Sequence, residues 1–325
     1  MKPNFAPVLI ITLCRYTHFK RCIESLAQNT HAEKTIVYIA LDYPAKHGHW
    51  DGYNKILNYL PNIKGFKDII VLKRDKNYGA YKNFIDAMDL VFSQYDRYIF
   101  SEDDNEFSPN FLDYMNQTLE YYKDDDNVMA ICGYRHFANY PDMEESCIKL
   151  SRFTAWGIGL WKDKYQSCRN ELTYKAIIDT LIDLRQVVKI AKKRLYILYI
   201  LLVMSIDKKV NFDTMITRNI LLNNKRCIFP TVSKVRNHGL DGSGTDKKPA
   251  NNMVLYESQI IDTNASFLLK ENIDATMQEK WNKELDIFYK KSFKQSVKIK
   301  YWTFTRYIYF RIQYFLNKQS FRNNI

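Results

Sequence analysis

Arg97-Tyr98-Ile99-Phe100-Ser101-Glu102-Asp103-Asp104 is a short β-prone run that leads directly into three consecutive acids. Comparable apolar runs occupy residues 7–13, 35–41, 68–72 and 128–131, and helical patterns lie around 19–27 and 84–92. Apolar runs of this length are typical of strands that are covered on both faces. Their alternation with helices predicts an α/β fold with a mostly parallel sheet and right-handed crossovers.

Polar residues follow several of these runs. The run at 7–13 is followed by Arg15, the run at 35–41 by Asp42, and the run at 68–72 by Arg74 and Asn77. The run that begins at Arg97 ends in the acidic triplet 102–104. Ligands of parallel α/β sheets bind beyond the carboxyl ends of the strands, so we expect these residues to converge on one crevice. An arginine after a first strand is usually a surface residue, so Arg15 indicates a site only as part of this set. Asp42 is equally consistent with a turn before Pro44.

The chain after the acids is less regular. Ser108 and Pro109 predict the start of a helix, because serine caps free amides and proline suits the first helical position. Three aspartates at 124–126 predict a solvated loop. An irregular region extends from the strand at 128–131 to about Trp161, and the C-terminal part is mostly helical in pattern.

The composition is that of a folded protein. With 325 residues, 46% of them apolar, the chain suffices for one large α/β domain with an appendage or for two modest domains. Its six cysteines are scattered without a CxxC pair, and the N-terminus carries no recognisable leader. These features favour a reduced, intracellular compartment.

The net charge of +12 is concentrated towards the C-terminus, where no acid follows Lys290. A polyanion-binding domain more often spreads its charge over the folded body, so we expect no nucleic-acid partner. Aromatic residues interleave with these cations, which suits an anionic membrane surface. We therefore expect peripheral attachment through residues 290–325 to the cytoplasmic face of a membrane. The alternative is a helix that binds a protein partner.

A longer apolar run, at residues 195–206, lies between two basic clusters, 192–194 and 208–209. It is shorter than the span of about 20 residues that crosses a bilayer. We expect a buried helix there, with a shallow interfacial segment as the alternative.

The acidic triplet places two or three carboxylates near one point, where their repulsion is costly unless a cation or water offsets it. Mg²⁺ and Mn²⁺ are suited to this role because hard cations prefer carboxylate and phosphate oxygens. A solvated acidic turn explains the triplet equally well when the three residues are considered alone.

Residues 102–111, EDDNEFSPNF, resemble the metal-binding segment of GT-A glycosyltransferases, and most closely that of the inverting N-acetylglucosaminyltransferase I type. The start of the chain, with 7–11, Arg15 and 21–26, is also similar to that family. Residues 74–79 resemble a motif shared with family-two transferases, 155–161 an acceptor-side loop, and 237–244 a closing loop of bacterial sugar transferases. The resemblance implies a Rossmann-like GT-A domain over 1–250, with a nucleotide-sugar half (about 1–135) and an acceptor half (about 136–250). A helical, basic-aromatic extension would occupy 251–325.

The resemblance also implies roles for individual residues. Asp104 would ligate Mn²⁺ or Mg²⁺, Asp103 would face the ribose or the sugar, and Glu102 the sugar hydroxyls. The remaining residues of the donor site would be Arg15 near the phosphates, Asp42 near the base, and Arg74 and Asn77 beside the nucleotide.

Three further sites follow from the resemblance, each with a plain alternative. His238 would complete the metal site or contact the diphosphate, in a glycine-rich loop that is otherwise an ordinary surface loop. Asp213 would be the general base, or else a helix cap. Trp156 and Trp161 would stack on a sugar ring of the acceptor, or else belong to the core.

The function implied is an inverting, metal-dependent transfer of a hexose or N-acetylhexosamine from a nucleotide-diphosphate donor, UDP by preference. The acceptor would be a glycan or lipid-linked oligosaccharide in surface-polysaccharide synthesis. One alternative is a sugar-nucleotide nucleotidyltransferase, although residues 13–17 lack the glycines typical of that chemistry. Another is a non-enzymatic module that binds a membrane surface or nucleic acid.

Overall fold

A mixed eight-stranded sheet lies at the centre of the computed structural model, which describes residues 5–136, 146–244, 253–270, 278, 280, 281, 283–285 and 292–316. The strands are β1 (Val8–Thr12), β2 (Ile36–Leu41), β3 (Asp68–Lys73), β4 (Arg97–Glu102), β5 (Asn105–Phe107), β6 (Val128–Cys132), β7 (Cys147–Leu150), β8 (Ile158–Trp161), β9 (Arg226–Pro230) and β10 (Val235–Asn237). β5 and β10 form a separate antiparallel ribbon.

Helices cover both faces of the sheet and extend beyond it. They are α1 (Tyr16–Ala27), α2 (Trp50–Tyr59), α3 (Ala80–Gln94), α4 (Phe111–Tyr121), α5 (Lys162–Arg169), α6 (Tyr174–Ile182), α7 (Leu184–Asp207), α8 (Phe212–Asn223), α9 (Met253–Glu257) and α10 (Phe293–Leu316).

The strand order is β3-β2-β1-β4-β8-β6-β9-β7. β3, β2, β1 and β4 are parallel, as are β6 and β9, whereas β8 runs antiparallel between β4 and β6. The predicted class, a mostly parallel α/β sheet with a helical C-terminal part, is confirmed. The antiparallel pairing of β8 with β4 and β6, and of β7 with β9, was not predicted. The part of the sequence that contains β7 and β8 lacks a regular strand–helix alternation.

Two hydrophobic cores flank the sheet, and successive residues of β1 enter them in turn. Leu9 packs on the side of α3 and α8, whereas Val8 and Ile10 face α1 and α4. Because strand side chains alternate between faces, burial on both sides accounts for the uninterrupted apolar runs of the sequence.

The start of α4 corrects one prediction. The helix begins at Phe111 rather than at Ser108 and Pro109, and Ser108 donates a hydrogen bond to the side chain of Asn110 (3.0 Å). The amide of Asn110 in turn donates to Asp262, 3.0 Å away. The Ser108 hydroxyl is therefore bound to a side chain that a tertiary contact holds in place, and it does not cap the helix.

The apolar run at 195–206 forms the second half of α7, and Leu198, Leu201 and Leu202 are buried in the core. The expectation of a buried helix is therefore correct. Within the described ranges, no helix combines the length and apolarity needed to cross a membrane.

The C-terminal region packs against the sheet domain. Phe310 of α10 lies in the same core as α7, and Asp262 forms an ion pair with the buried Lys234 before β10. The domain boundary predicted near residue 250 falls within 245–252, outside the described residues.

Candidate functional site

The carboxyl ends of β1 and β4 form the floor of the candidate site. The two strands are parallel neighbours, with Ile11 opposite Glu102, so the residues that follow them lie side by side. The Thr12 hydroxyl donates to Asp103 Oδ2 (2.7 Å). Arg15 donates from one guanidinium nitrogen to Asp103 and to Asp104 Oδ2, the latter at 2.9 Å. Arg15 therefore bridges the last two acids of the triplet.

Burial and mutual repulsion govern the ionisation of these acids. Burial raises the pKa of Asp103, although Arg15 opposes the shift. Burial, with repulsion from Asp104, Asp213 and Asp103, raises the pKa of Glu102 to about 8. For Arg15, burial disfavours the charge but the two aspartates outweigh it, and the pKa of Arg15 is raised. The cluster is thus short of positive charge, as expected of a site that binds a cation.

The segment 237–244, here called the cover loop, lies directly on Asp104. Asn237 donates to Asp104 Oδ1 (2.9 Å), and the His238 amide donates to the Asp104 carbonyl oxygen (2.8 Å). A Cβ atom added to Gly239 would lie 2.0 Å from Asp104 Oδ2. Glycine is therefore required for the loop to approach the carboxylate this closely.

The imidazole of His238 is oriented by a carboxylate. Its Nε2 lies 2.7 Å from Glu106 Oε2, which also accepts from Arg236 at 3.1 Å. The His238 hydrogen bond and the Arg236 charge lower the pKa of Glu106, although burial opposes the shift. Histidines that ligate metals commonly have one ring nitrogen held in this way by a carboxylate.

Asp42 and Asn77 meet at the ends of β2 and β3. The Asn77 side chain donates to Asp42 (3.2 Å), and the amides of Tyr78 and Gly79 donate to the same carboxylate at 2.8 and 2.9 Å. Gly79 has φ of 75°, a left-handed conformation that favours glycine. Asp42 therefore fixes the turn that leads into α3.

Arg74 is held against α3. Its Nε donates to Asn83 (2.8 Å), its NH1 pairs with Asp86 (2.6 Å), and its guanidinium lies over the Tyr78 ring. No hydrogen bond within the described ranges joins Arg74 to the acidic triplet. The structure thus fixes the Arg74 guanidinium to the first turns of α3, and its expected place beside the nucleotide stays a prediction.

Asp213 lies in the first turn of α8 but is not its cap. The N-cap is Asn211, whose side chain accepts from the Thr214 amide (2.9 Å), so the capping alternative for Asp213 is wrong. Burial raises the pKa of Asp213 to about 6, despite hydrogen bonds from the backbone of Ala155 and from its own amide. Because Asp213 also raises the pKa of Glu102, the two carboxyls share one environment.

The two tryptophans of residues 155–161 differ in position. Trp156 is half-buried and packs edge-to-face against Tyr134 and Tyr256, with ring centroids 4.7 and 5.5 Å away. Trp161 is only 4% exposed, and its indole nitrogen donates to the Leu119 carbonyl oxygen (3.1 Å). Trp161 thus belongs to the core, which corrects its assignment to the acceptor site.

Thr12, Glu106 and Asn237 were missed as site residues by sequence reasoning. Glu106 and Asn237 lie on β5 and β10, three-residue strands that are too short to show a period-two pattern. The sequence Asn237-His238-Gly239 was a usable signal for Asn237. Nothing in the sequence indicated that Glu106 would pair with His238.

A divalent metal fits this site only if the substrate supplies most of the ligands. Across the described part of the chain, no cluster of three or more His, Cys, Asp or Glu side chains is arranged to hold a metal. Asp104 and His238 are brought together by the hydrogen bond between their main chains. Mg²⁺ sites commonly combine one or two protein carboxylates with substrate phosphates and water, and this donor set suits such a site.

Comparison with known proteins gives a family match. Residues 1–145 match the model of the GNT-I family, and no curated protein matches the chain. The match confirms the predicted resemblance to GT-A glycosyltransferases of the N-acetylglucosaminyltransferase I type.

Three solved structures are among those similar to this chain. S. aureus TarS 1-349 is 11% identical over 51% of this chain and 49% of that one, with a TM-score of 0.34. The mannosyltransferase PcManGT from Pyrobaculum calidifontis, in complex with GDP-Man and Mn²⁺, is 10% identical over 67% of this chain and 71% of that one, with a TM-score of 0.36. Mouse xyloside xylosyltransferase 1, in its apo form, is 9% identical over 50% of this chain and 68% of that one, with a TM-score of 0.32. The chain spans about half the length of TarS 1-349.

Proposed function

Because residues 1–145 match the GNT-I family, we propose that this protein is a metal-dependent glycosyltransferase that acts with inversion. It transfers a hexose or N-acetylhexosamine from a nucleotide-diphosphate donor, UDP by preference, to a glycan or lipid-linked acceptor in surface-polysaccharide synthesis. The observation that carries this proposal is the cluster of Arg15, Asp103 and Asp104 at the carboxyl ends of β1 and β4, beneath the cover loop.

Asp104 and His238 are the residues that would hold Mn²⁺ or Mg²⁺. When bound, the metal neutralises charge on the departing diphosphate. Glu106 orients the His238 ring for this role, and Asn237 orients the Asp104 carboxylate.

The donor phosphates and sugar are assigned to the residues around the metal. Arg15 is charged at neutral pH and presents several N–H groups, which suits it to phosphate oxygens. Asp103, fixed by Thr12 and Arg15, and Glu102 at the end of β4 face the ribose and the sugar hydroxyls. Asp42 and Asn77 border the base. The cover loop excludes water from the reacting centre.

Asp213 is our candidate general base. Inversion by direct displacement needs one base that takes the proton of the acceptor hydroxyl as the hydroxyl attacks the anomeric carbon. With its pKa raised to about 6, the Asp213 carboxyl is ionised at neutral pH and still basic enough to accept a proton. The hydrogen bond from the backbone of Ala155 places it next to Trp156, which we assign to the acceptor sugar.

We place the reaction on the inner face of a membrane, where a lipid-linked acceptor is available. The basic and aromatic C-terminal region supports this location.

Calorimetry with UDP and Mn²⁺ tests the proposal. We expect wild type to bind UDP only when Mn²⁺ is present, and Asp104→Ala to abolish this metal-dependent binding. Asp124→Ala, in an exposed loop after α4, is the matched control and should bind as wild type does. If wild type does not bind UDP or another nucleotide diphosphate with Mn²⁺, the site is a structural acidic turn and the protein is a binding module.

A further inference from the structure

Helix α10 carries two apolar stripes on different sides. Thr303, Tyr307, Phe310 and Tyr314 form the inner stripe, in which Thr303 and Phe310 are buried and face α7 and the core. The second, here called the outer stripe, consists of Val297, Tyr301, Phe304, Ile308, Ile312 and Phe315. Its spacings of three and four residues place these side chains along one face of the helix.

The outer stripe is exposed to solvent. Tyr301 and Phe304 are each 64% exposed, and Phe315 is 81% exposed. Contiguous exposed apolar surface of this kind marks an interaction site in a soluble protein, whereas scattered single residues do not. The inner stripe already attaches α10 to the rest of the molecule, so the outer stripe is not needed for folding.

The charges that α10 itself carries are all positive. α10 contains five Lys and Arg residues and no acid. Lys294, Lys298 and Lys300 are exposed, and the helical repeat places Lys298 and Lys300 on opposite sides of the stripe. Arg306 and Arg311 instead contact the body, Arg306 over the Tyr199 ring and Arg311 at the Ile182 carbonyl oxygen.

We propose that the outer stripe docks on an anionic lipid surface, with α10 lying in the plane of the interface. An apolar face bordered by lysines, with aromatic rings along it, matches acyl chains beneath anionic headgroups. A second copy of the same stripe is a poorer occupant, because it would bring lysines against lysines without a compensating acid. This inference names the surface for the membrane location proposed above, and it depends on surface chemistry rather than on the transfer reaction.

Flotation of the full chain with phosphatidylcholine vesicles, with and without phosphatidylglycerol, tests the docking surface. We expect wild type to float only with the anionic vesicles and to be released by high salt. Tyr301→Ser/Phe304→Ser should lower the bound fraction by about tenfold or more, because it removes apolar area that enters the interface. Val254→Ser/Ile260→Ser is the control, since these exposed apolar residues lie outside α10.

The charge contribution is tested separately. Lys298→Glu/Lys300→Glu should reduce vesicle binding severalfold, whereas the same change of net charge at the exposed Lys64 and Lys67 should reduce it much less. Since all substituted side chains are exposed, melting temperatures close to wild type are expected for every variant.

Three outcomes overturn the docking surface. One is that wild type ignores anionic vesicles, and another is that the Tyr301/Phe304 variant floats as wild type does. The third is a dimer of wild type that the same variant dissociates, which would assign the stripe to a second copy. UDP binding with Mn²⁺ is measured on the same samples. Retained UDP binding without flotation refutes only the docking surface, and flotation without UDP binding refutes only the transferase.

Discussion

Arg15 explains how two neighbouring aspartates can lie side by side in a buried position. Its guanidinium bridges Asp103 and Asp104 and offsets their repulsion. If a metal and a donor were bound, Asp104 would be a ligand of the metal and Arg15 would be free to bind the diphosphate. This change of partners accounts for our expectation that nucleotide binding requires metal.

The ionisation of Asp213 leads to a prediction about the pH dependence of transfer. Because the base must be ionised, the rate should rise with pH through about 6, the value to which burial raises the pKa of Asp213. Asp213→Asn should lower kcat by about 10²–10⁴-fold while UDP and Mn²⁺ still bind. Transfer rates across pH and calorimetry on the variant check this. A variant that retains transfer would remove Asp213 from the mechanism.

The same shift has a consequence for stability. The pKa of Asp213 is raised from 3.8 to about 6, so between these values the folded state binds more protons than the unfolded chain. The free energy of unfolding should therefore fall as pH rises through this window, by up to about 3 kcal/mol. Urea unfolding of wild type and Asp213→Asn at about pH 4 and about pH 7 tests this. The free energy of unfolding of the variant should fall less between these two pH values than that of wild type.

At the scale of elements, the ribbon of β5 and β10 determines how the cover loop meets the acids. β10 pairs with β5 directly after the triplet, with Asn237 opposite Asn105. The loop that follows is thereby delivered to Asp104, although more than a hundred residues separate the two along the chain. The site is thus closed by a long-range contact between two very short strands.

Gly239→Ala tests this arrangement. The added methyl group would lie 2.0 Å from Asp104 Oδ2, so either the loop or the carboxylate must move. We expect UDP affinity in the presence of Mn²⁺ to fall by about tenfold or more, equivalent to at least about 1.4 kcal/mol. Gly48→Ala is the control, because a Cβ there has no neighbour within 4 Å. Equal affinities for the two variants would show that the cover loop does not shape the donor site.

The elements that the sequence predicted are those whose burial is visible in a local pattern. The runs that became β1, β2, β4 and β6 are apolar because both of their faces are covered. β3, at the edge of the sheet, is only partly covered but keeps an apolar centre. The meeting of Arg15 with the acids was also predictable, since both follow adjacent parallel strands. β5, β10 and the core position of Trp161 were not predictable, because they depend on partners that are distant in the sequence.

At the scale of the whole molecule, a buried ion pair ties the C-terminal region to the sheet domain. Lys234 is 2% exposed, pairs with Asp262, and lies over the rings of Tyr114 and Phe267. Asp262 also accepts from Asn110, in front of α4. The segment that contains Asp262 is therefore part of the folded body.

Lys234→Met should destabilise the protein by about 3–5 kcal/mol, because it leaves the Asp262 charge without its buried partner. Lys55→Met, which breaks an exposed pair with Asp51, should cost about 1 kcal/mol or less. Urea denaturation of both variants measures the difference. Similar costs for the two changes would mean that the C-terminal segment contributes little to stability.

The two stripes of α10 have a consequence for how acceptors are found. The inner stripe fixes α10 to the rest of the protein, and the outer stripe would fix it to a bilayer. The angle between the donor site and the plane of the lipids would then be constant. An enzyme held in this way would search for lipid-linked acceptors in two dimensions, and the fixed angle would limit the height above the headgroups at which a hydroxyl can react.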